Sequence, residues 1–83
     1  MQGLLIDDQG LVIVERIVAV GPAESAPMRR LLAALPLTKV INLTGGQRRQ
    51  SVLILDSDHV VITPLSVAEV EAALTEPVDW TAR

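Results

Sequence analysis

The chain has no cysteine, and Trp80 is its only aromatic residue. Without thiols there is no disulfide framework and no thiolate metal site, which suits a reducing compartment. With one aromatic, base stacking is not available, and this argues against single-strand nucleic-acid recognition. Long hydrophobic runs are also missing. The longest stretch free of Asp, Glu, Lys and Arg is His59 to Ala68, ten residues, about half a membrane span. Asp7 and Asp8 interrupt the N-terminus where a secretory signal needs a basic start and an apolar run. These absences predict a soluble cytoplasmic protein with no membrane partner.

What the chain has instead is aliphatic bulk. Leu, Val and Ile make up 29 of 83 residues. A domain of this size buries only about 60–65% of its unfolded-chain surface, so part of that bulk is expected to stay outside the monomer core. Exposed aliphatic patches mark interfaces. With no disulfide or metal to support a small fold, self-association into a homo-oligomer is the expected support.

The net charge of −3 conceals a segregation. Ser25 to Gln50 carries Arg29, Arg30, Lys39, Arg48 and Arg49 and no acid. Ser51 to Ala82 carries Asp56, Asp58, Glu69, Glu71, Glu76 and Asp79 and no base. Arginine offers a planar donor fork suited to phosphate oxygens. An acidic total does not exclude nucleic acid when the basic groups share one face, although nucleic-acid binders usually have a basic domain. Ordinary solvated charge is the competing explanation.

Periodicity predicts an α+β domain over residues 1–75, in the order β-β-α-β-β-β-α, with a small, mostly antiparallel sheet and a C-terminal tail at 76–83. Gly3–Ile6 and Leu11–Val20 read as a hairpin around Asp7-Asp8-Gln9-Gly10. Glu15 and Arg16 are adjacent mid-strand, so both cannot face the core. Ser25 caps a helix that Pro36 stops, with Met28, Leu31, Leu32 and Leu35 as its apolar stripe and Arg29 and Arg30 exposed. Thr38–Thr44 and Ser51–Leu55 read as antiparallel partners joined by the turn Gly45–Gln50. A further strand covers His59–Thr63. Ser66 and Glu69 form a capping box opening a second helix to about Leu74, and Trp80 is a candidate anchor for the tail.

The turn Gly45-Gly46-Gln47-Arg48-Arg49-Gln50 is the most functional-looking segment. Its glycines allow positive φ and close ligand approach, and its arginines can reach phosphates. A plain turn with solvated arginines is the other reading. The Walker pattern is missing. Asp56-Ser57-Asp58-His59 offers oxygen and nitrogen ligands, but its spacing is nonspecific and turn aspartates more often bond their own backbone. No metal or other cofactor is expected. No nucleophile elbow or cofactor fingerprint appears, so no catalytic residue is assigned and an enzyme is not expected. Helix-turn-helix recognition is also disfavoured, because three strands separate the helices.

Taken together, Arg16-Ile-Val-Ala-Val, Glu24-Ser-Ala-Pro-Met-Arg-Arg30, Thr44-Gly-Gly-Gln-Arg-Arg49 and Asp56-Ser-Asp-His-Val60 resemble the RemA family, small bacterial extracellular-matrix regulators. The similarity runs from about Val12 to Leu74. It implies a LytTR-related domain that assembles into a closed ring and contacts double-stranded DNA through Arg16, Arg29, Arg30, Arg48 and Arg49. Gly45 and Gly46 would set the turn. Such a protein would be a transcription regulator of biofilm matrix genes, associated with the nucleoid. The family's Tyr-Gly-Arg-Arg-Thr-Arg turn falls on Gly45–Gln50. There Tyr becomes Gly45, two arginines become Gln47 and Gln50, and Thr becomes Arg49. These departures bear on DNA affinity rather than on fold or assembly. The alternative is a structural or protein-interaction ring without DNA binding, in which the arginines scatter or pair with Glu15, Asp56 or Asp58 across subunits.

Overall fold

The computed structural model describes residues 2–75 and the backbone of residues 78–79. The strands are β1 (Gln2–Ile6), β2 (Gly10–Ile13), β3 (Ile17–Pro22), β4 (Val40–Asn42), β5 (Ser51–Leu55), β6 (Val60–Thr63) and β7 (Val78–Asp79). Helix α1 (Ala26–Ala34) follows β3, and α2 (Val67–Thr75) follows β6. One sheet has the order β2-β1-β7 and the other β3-β5-β6-β4. Every pairing is antiparallel except that of β4 with β6. The α+β class with mostly antiparallel pairing therefore holds, as two sheets. Within the expected tail, Val78–Asp79 pairs with β1. Trp80 lies outside the described residues.

β5 runs through the centre, and its side chains alternate between two cores, as a strand's period of two requires. Val52 and Ile54 join Ala23, Val60 and the α1 stripe of Met28, Leu31, Leu32 and Leu35. Leu53 and Leu55 face the other way, towards Leu4, Ile6 and Val12 of the first sheet and Val70 of α2. The four-stranded sheet is thus a middle layer, with α1 on one face and the first sheet plus α2 on the other. Where β5 meets β6, the buried Ser51 and Thr63 hydroxyls bond each other at 2.7 Å.

Both helix starts form as the sequence predicts. Ser25 Oγ accepts from the Met28 N–H at 3.4 Å, with a proline in the first turn. At α2 the capping box is reciprocal. Ser66 Oγ accepts from the Glu69 N–H at 3.1 Å, and Glu69 Oε1 accepts from the Ser66 N–H at 3.0 Å.

Two sequence expectations are corrected. The single strand Leu11–Val20 is broken by a 3-10 turn at Val14–Arg16. The chain leaves the first sheet at that corner and enters the second, and Glu15 and Arg16 both stay exposed. A continuous strand would have turned one of them inward. The strand Thr38–Thr44 is shortened to β4 by a 3-10 turn at Leu37–Lys39, and its partner is β6, in parallel, rather than β5. Both edges of β5 are occupied by β3 and β6, so β4 cannot pair with it and adds to the outer edge of β6. The Gly45–Gln50 segment is consequently a connection across the sheet end and not a hairpin turn.

Five large aliphatics remain exposed among the described residues: Leu5, Leu11, Val18, Leu37 and Ile41. Leu5 and Leu11 are cross-strand partners on β1 and β2.

Leu53→Ala empties the centre of the inter-sheet core and is expected to cost about 2–5 kcal/mol in chemical denaturation. Glu69 is a second test. The Ser66 backbone bond, then the Ser66 hydroxyl, hold its carboxyl below the usual carboxylate range. A depressed folded pKa contributes stability that is present above the unfolded pKa and lost as pH falls through the folded one. Glu69→Gln keeps the cap geometry and is expected to flatten the acid limb of the stability–pH curve.

Candidate nucleic-acid interface

Positions of Arg16, Arg48 and Arg49 follow from the antiparallel β3–β5 ladder, whose register runs from Ile17↔Leu55 to Pro22↔Ser51. Arg16 is one step before the ladder begins, at the corner between sheets. Arg48 and Arg49 lie just before β5, at the opposite end. Six residues of extended chain separate those ends, about 20 Å at the usual strand rise. α1 also starts at the Arg48–Arg49 end, because the Ala23 N–H donates to the Gln50 carbonyl at 3.0 Å and ties the helix entry to the connection. Arg29 and Arg30, the fourth and fifth of nine residues in α1, lie on its solvent face beside the small residues Ala26 and Ala33 in a shallow depression. The fold therefore puts Arg48 and Arg49 at the end where α1 is entered, Arg29 and Arg30 on the solvent face of that helix, and Arg16 at the opposite end of the ladder.

The glycine turn is set by local chemistry. Asn42 Oδ1 accepts from the Thr44 N–H at 3.0 Å and from its hydroxyl at 2.7 Å. The Gln47 N–H returns to the Thr44 carbonyl at 3.0 Å. Between them Gly45 and Gly46 have φ of 60° and 87°, the left-handed pair of a type I′ turn. A Cβ on Gly45 would lie 2.6 Å from the Gln9 side chain. This turn sends Gln47–Gln50 across the sheet end towards β5, with all four residues exposed.

Two arginines have carboxylate partners. Arg16 Nε lies 3.1 Å from Asp56 Oδ1, and Arg49 Nε lies 3.4 Å from Glu24 Oε1. Arg29, Arg30 and Arg48 form no ion pair with a described residue. Asp56, which the alternative reading names as an arginine partner between subunits, pairs with Arg16 within the chain. Sequence reasoning misses Glu24. The only signal for it is register, since Glu24 and Arg49 each lie two residues beyond Pro22↔Ser51.

The Asp56–His59 segment forms the β5–β6 turn, with Asp58 at a φ of 67° and Ser57 Oγ 2.8 Å from His59 Nδ1. Among the described residues no three His, Asp or Glu side chains are grouped to hold a metal ion. A cavity of about 330 Å³ opens where the two sheets diverge, lined by Leu11, Ile13, Ile41, Leu43 and Leu55, with Arg16 and Asp56 at its polar side.

Two packed sheets, a buried central strand and two helices define a small α+β protein with exposed arginines on α1 and on the connection before β5. Comparison gives its kinship. Residues 4–74 match the RemA-like family, described as extracellular matrix regulatory protein A-like, and the chain belongs to this family. A candidate regulatory protein of Moorella thermoacetica is 37% identical over 79 residues, covering 83% of this chain and 87% of the relative. Another, from Symbiobacterium thermophilum, is 39% identical over 66 residues, covering 78% of this chain and 70% of the relative. A third, from Halalkalibacterium halodurans, is 34% identical over 70 residues, covering 83% and 80%. The family and these bacterial relatives are named for regulation and not for catalysis. Among the described residues no helix is long and apolar enough to cross a membrane.

Gly46→Ala is expected to cost about 1–2 kcal/mol through its left-handed φ, read as a lowered urea midpoint. Gly46→Asn is expected to recover part of it, because Asn tolerates that conformation better.

Proposed function

We propose that this chain is a transcription regulator that assembles into a closed ring of identical subunits and contacts duplex DNA phosphates through Arg16, Arg29, Arg30, Arg48 and Arg49. The exposure of Arg29 and Arg30 on α1 and of Arg48 and Arg49 on the connection tied to its entry, in a family of regulatory proteins, is the observation that carries this reading. Arginine forks suit phosphate oxygens, and each phosphate neutralised adds about 0.9 to the salt slope of binding. With no recognition helix, sequence preference arises largely from DNA bendability. A closed ring needs two different complementary patches on every subunit. The exposed aliphatics Leu5, Leu11, Val18, Leu37 and Ile41 offer apolar surface for them.

One observation favours a second reading, a protein-interaction ring without DNA binding. Arg16 and Arg49 already have carboxylate partners within the chain.

The two readings separate in a fluorescence-anisotropy titration of a labelled duplex of about 40 base pairs. Arg48→Ala with Arg49→Ala is expected to weaken binding about tenfold or more and to lower the salt slope by about 1 for each phosphate no longer neutralised. The oligomer, measured by sedimentation, should persist. Unchanged affinity would remove the connection from the interface.

A further inference from the structure

We propose that Asp56 and Glu24 are built-in counter-ions of Arg16 and Arg49 that weaken each subunit's grip on phosphate. The inference rests on the DNA-contact reading and names what regulates that surface.

Both pairs are products of strand register, not chance meetings of long side chains. Arg16 and Asp56 stand one step outside Ile17↔Leu55, where the Asp56 N–H also donates to the Arg16 carbonyl at 2.9 Å. Glu24 and Arg49 stand two steps outside Pro22↔Ser51 at the other end. The same ladder therefore places one arginine–carboxylate pair at each of its ends, and cross-strand neighbours of opposite charge attract.

In both pairs the contact is made by the arginine Nε, at 3.1 and 3.4 Å. The fork of each guanidinium carries four further N–H donors on its terminal nitrogens, so a phosphate can approach while the pair stays formed. All four side chains are substantially solvent-exposed, and exposed pairs of this kind are individually weak. The carboxylate is then a persistent negative neighbour of the docking site and not a latch that must open. It orients the guanidinium, and it also repels the incoming phosphate. Arg29, Arg30 and Arg48 have no such neighbour among the described residues and contribute their full charge. Attenuated contacts suit an assembly, because a single subunit then binds poorly while several subunits on one duplex multiply their effects.

The test is anisotropy of the labelled 40-base-pair duplex, over a salt series, with Asp56→Asn and Glu24→Gln separately and together. Asn and Gln keep an acceptor oxygen for Nε and remove only the charge. Each is expected to tighten binding about threefold per contacted subunit. Each should also steepen the salt slope by up to about 0.9 for each phosphate more fully neutralised. Glu71→Gln, which removes one exposed charge from α2, is the control for net charge and should leave the slope unchanged. If the wild type binds and both variants bind equally or more weakly, the counter-ion role is overturned while DNA contact stands. The counter-ion role is equally overturned if Glu71→Gln matches their gain. Should neither wild type nor variants bind at the lowest salt, the DNA-contact reading falls and this inference falls with it.

Discussion

The register of β3 against β5 fixes which β5 side chains face α1 and which face the first sheet, and so defines both cores. It also sets the distance between Arg16 and the other candidate arginines and brings a carboxylate beside two of them. A one-residue slip would turn Leu53 and Val52 to each other's cores and dismantle both ion pairs together. Fold and surface chemistry are therefore a single geometric fact.

That ladder also explains how a chain so rich in aliphatic residues holds its shape. β5 and β6 are covered on both faces, so their sequences read as nearly continuous apolar runs. The polar exception, Ser51 with Thr63, is a directly opposed pair whose hydroxyls satisfy each other. With the central layer occupied, the remaining aliphatics fall on edges and outer faces, as Leu37 and Val18 do. Large exposed aliphatics at those positions are the surface a self-associating protein would use.

Locally encoded features were legible in the sequence. The Ser25 cap, the α1 stripe and the Ser66–Glu69 box depend on residues within one or two helical turns, and each forms where the spacing puts it. The exposure of Arg29 and Arg30 follows from the same stripe. Features that depend on competition between distant segments were not legible. Thr38–Thr44 looked like a hairpin partner for β5 only because they are neighbours in sequence. The loss of that pairing follows from β6 occupying the edge of β5. Adjacent Glu15 and Arg16 did signal a conflict in the second strand, but alternation of faces and a corner between sheets satisfy the same pattern. Glu24 was invisible as an arginine partner because only the β3–β5 register brings it to Arg49.

Whether arginines positioned by this ladder meet duplex phosphates can be read from their Nε–H resonances, followed by NMR during titration with an unlabelled duplex. The signals of Arg16, Arg29, Arg30, Arg48 and Arg49 are expected to move together at one stoichiometry and to return when salt is raised. If those five stay fixed while the duplex is in excess at low salt, or if Arg83 alone responds, the arginine-bearing surface is not a DNA interface.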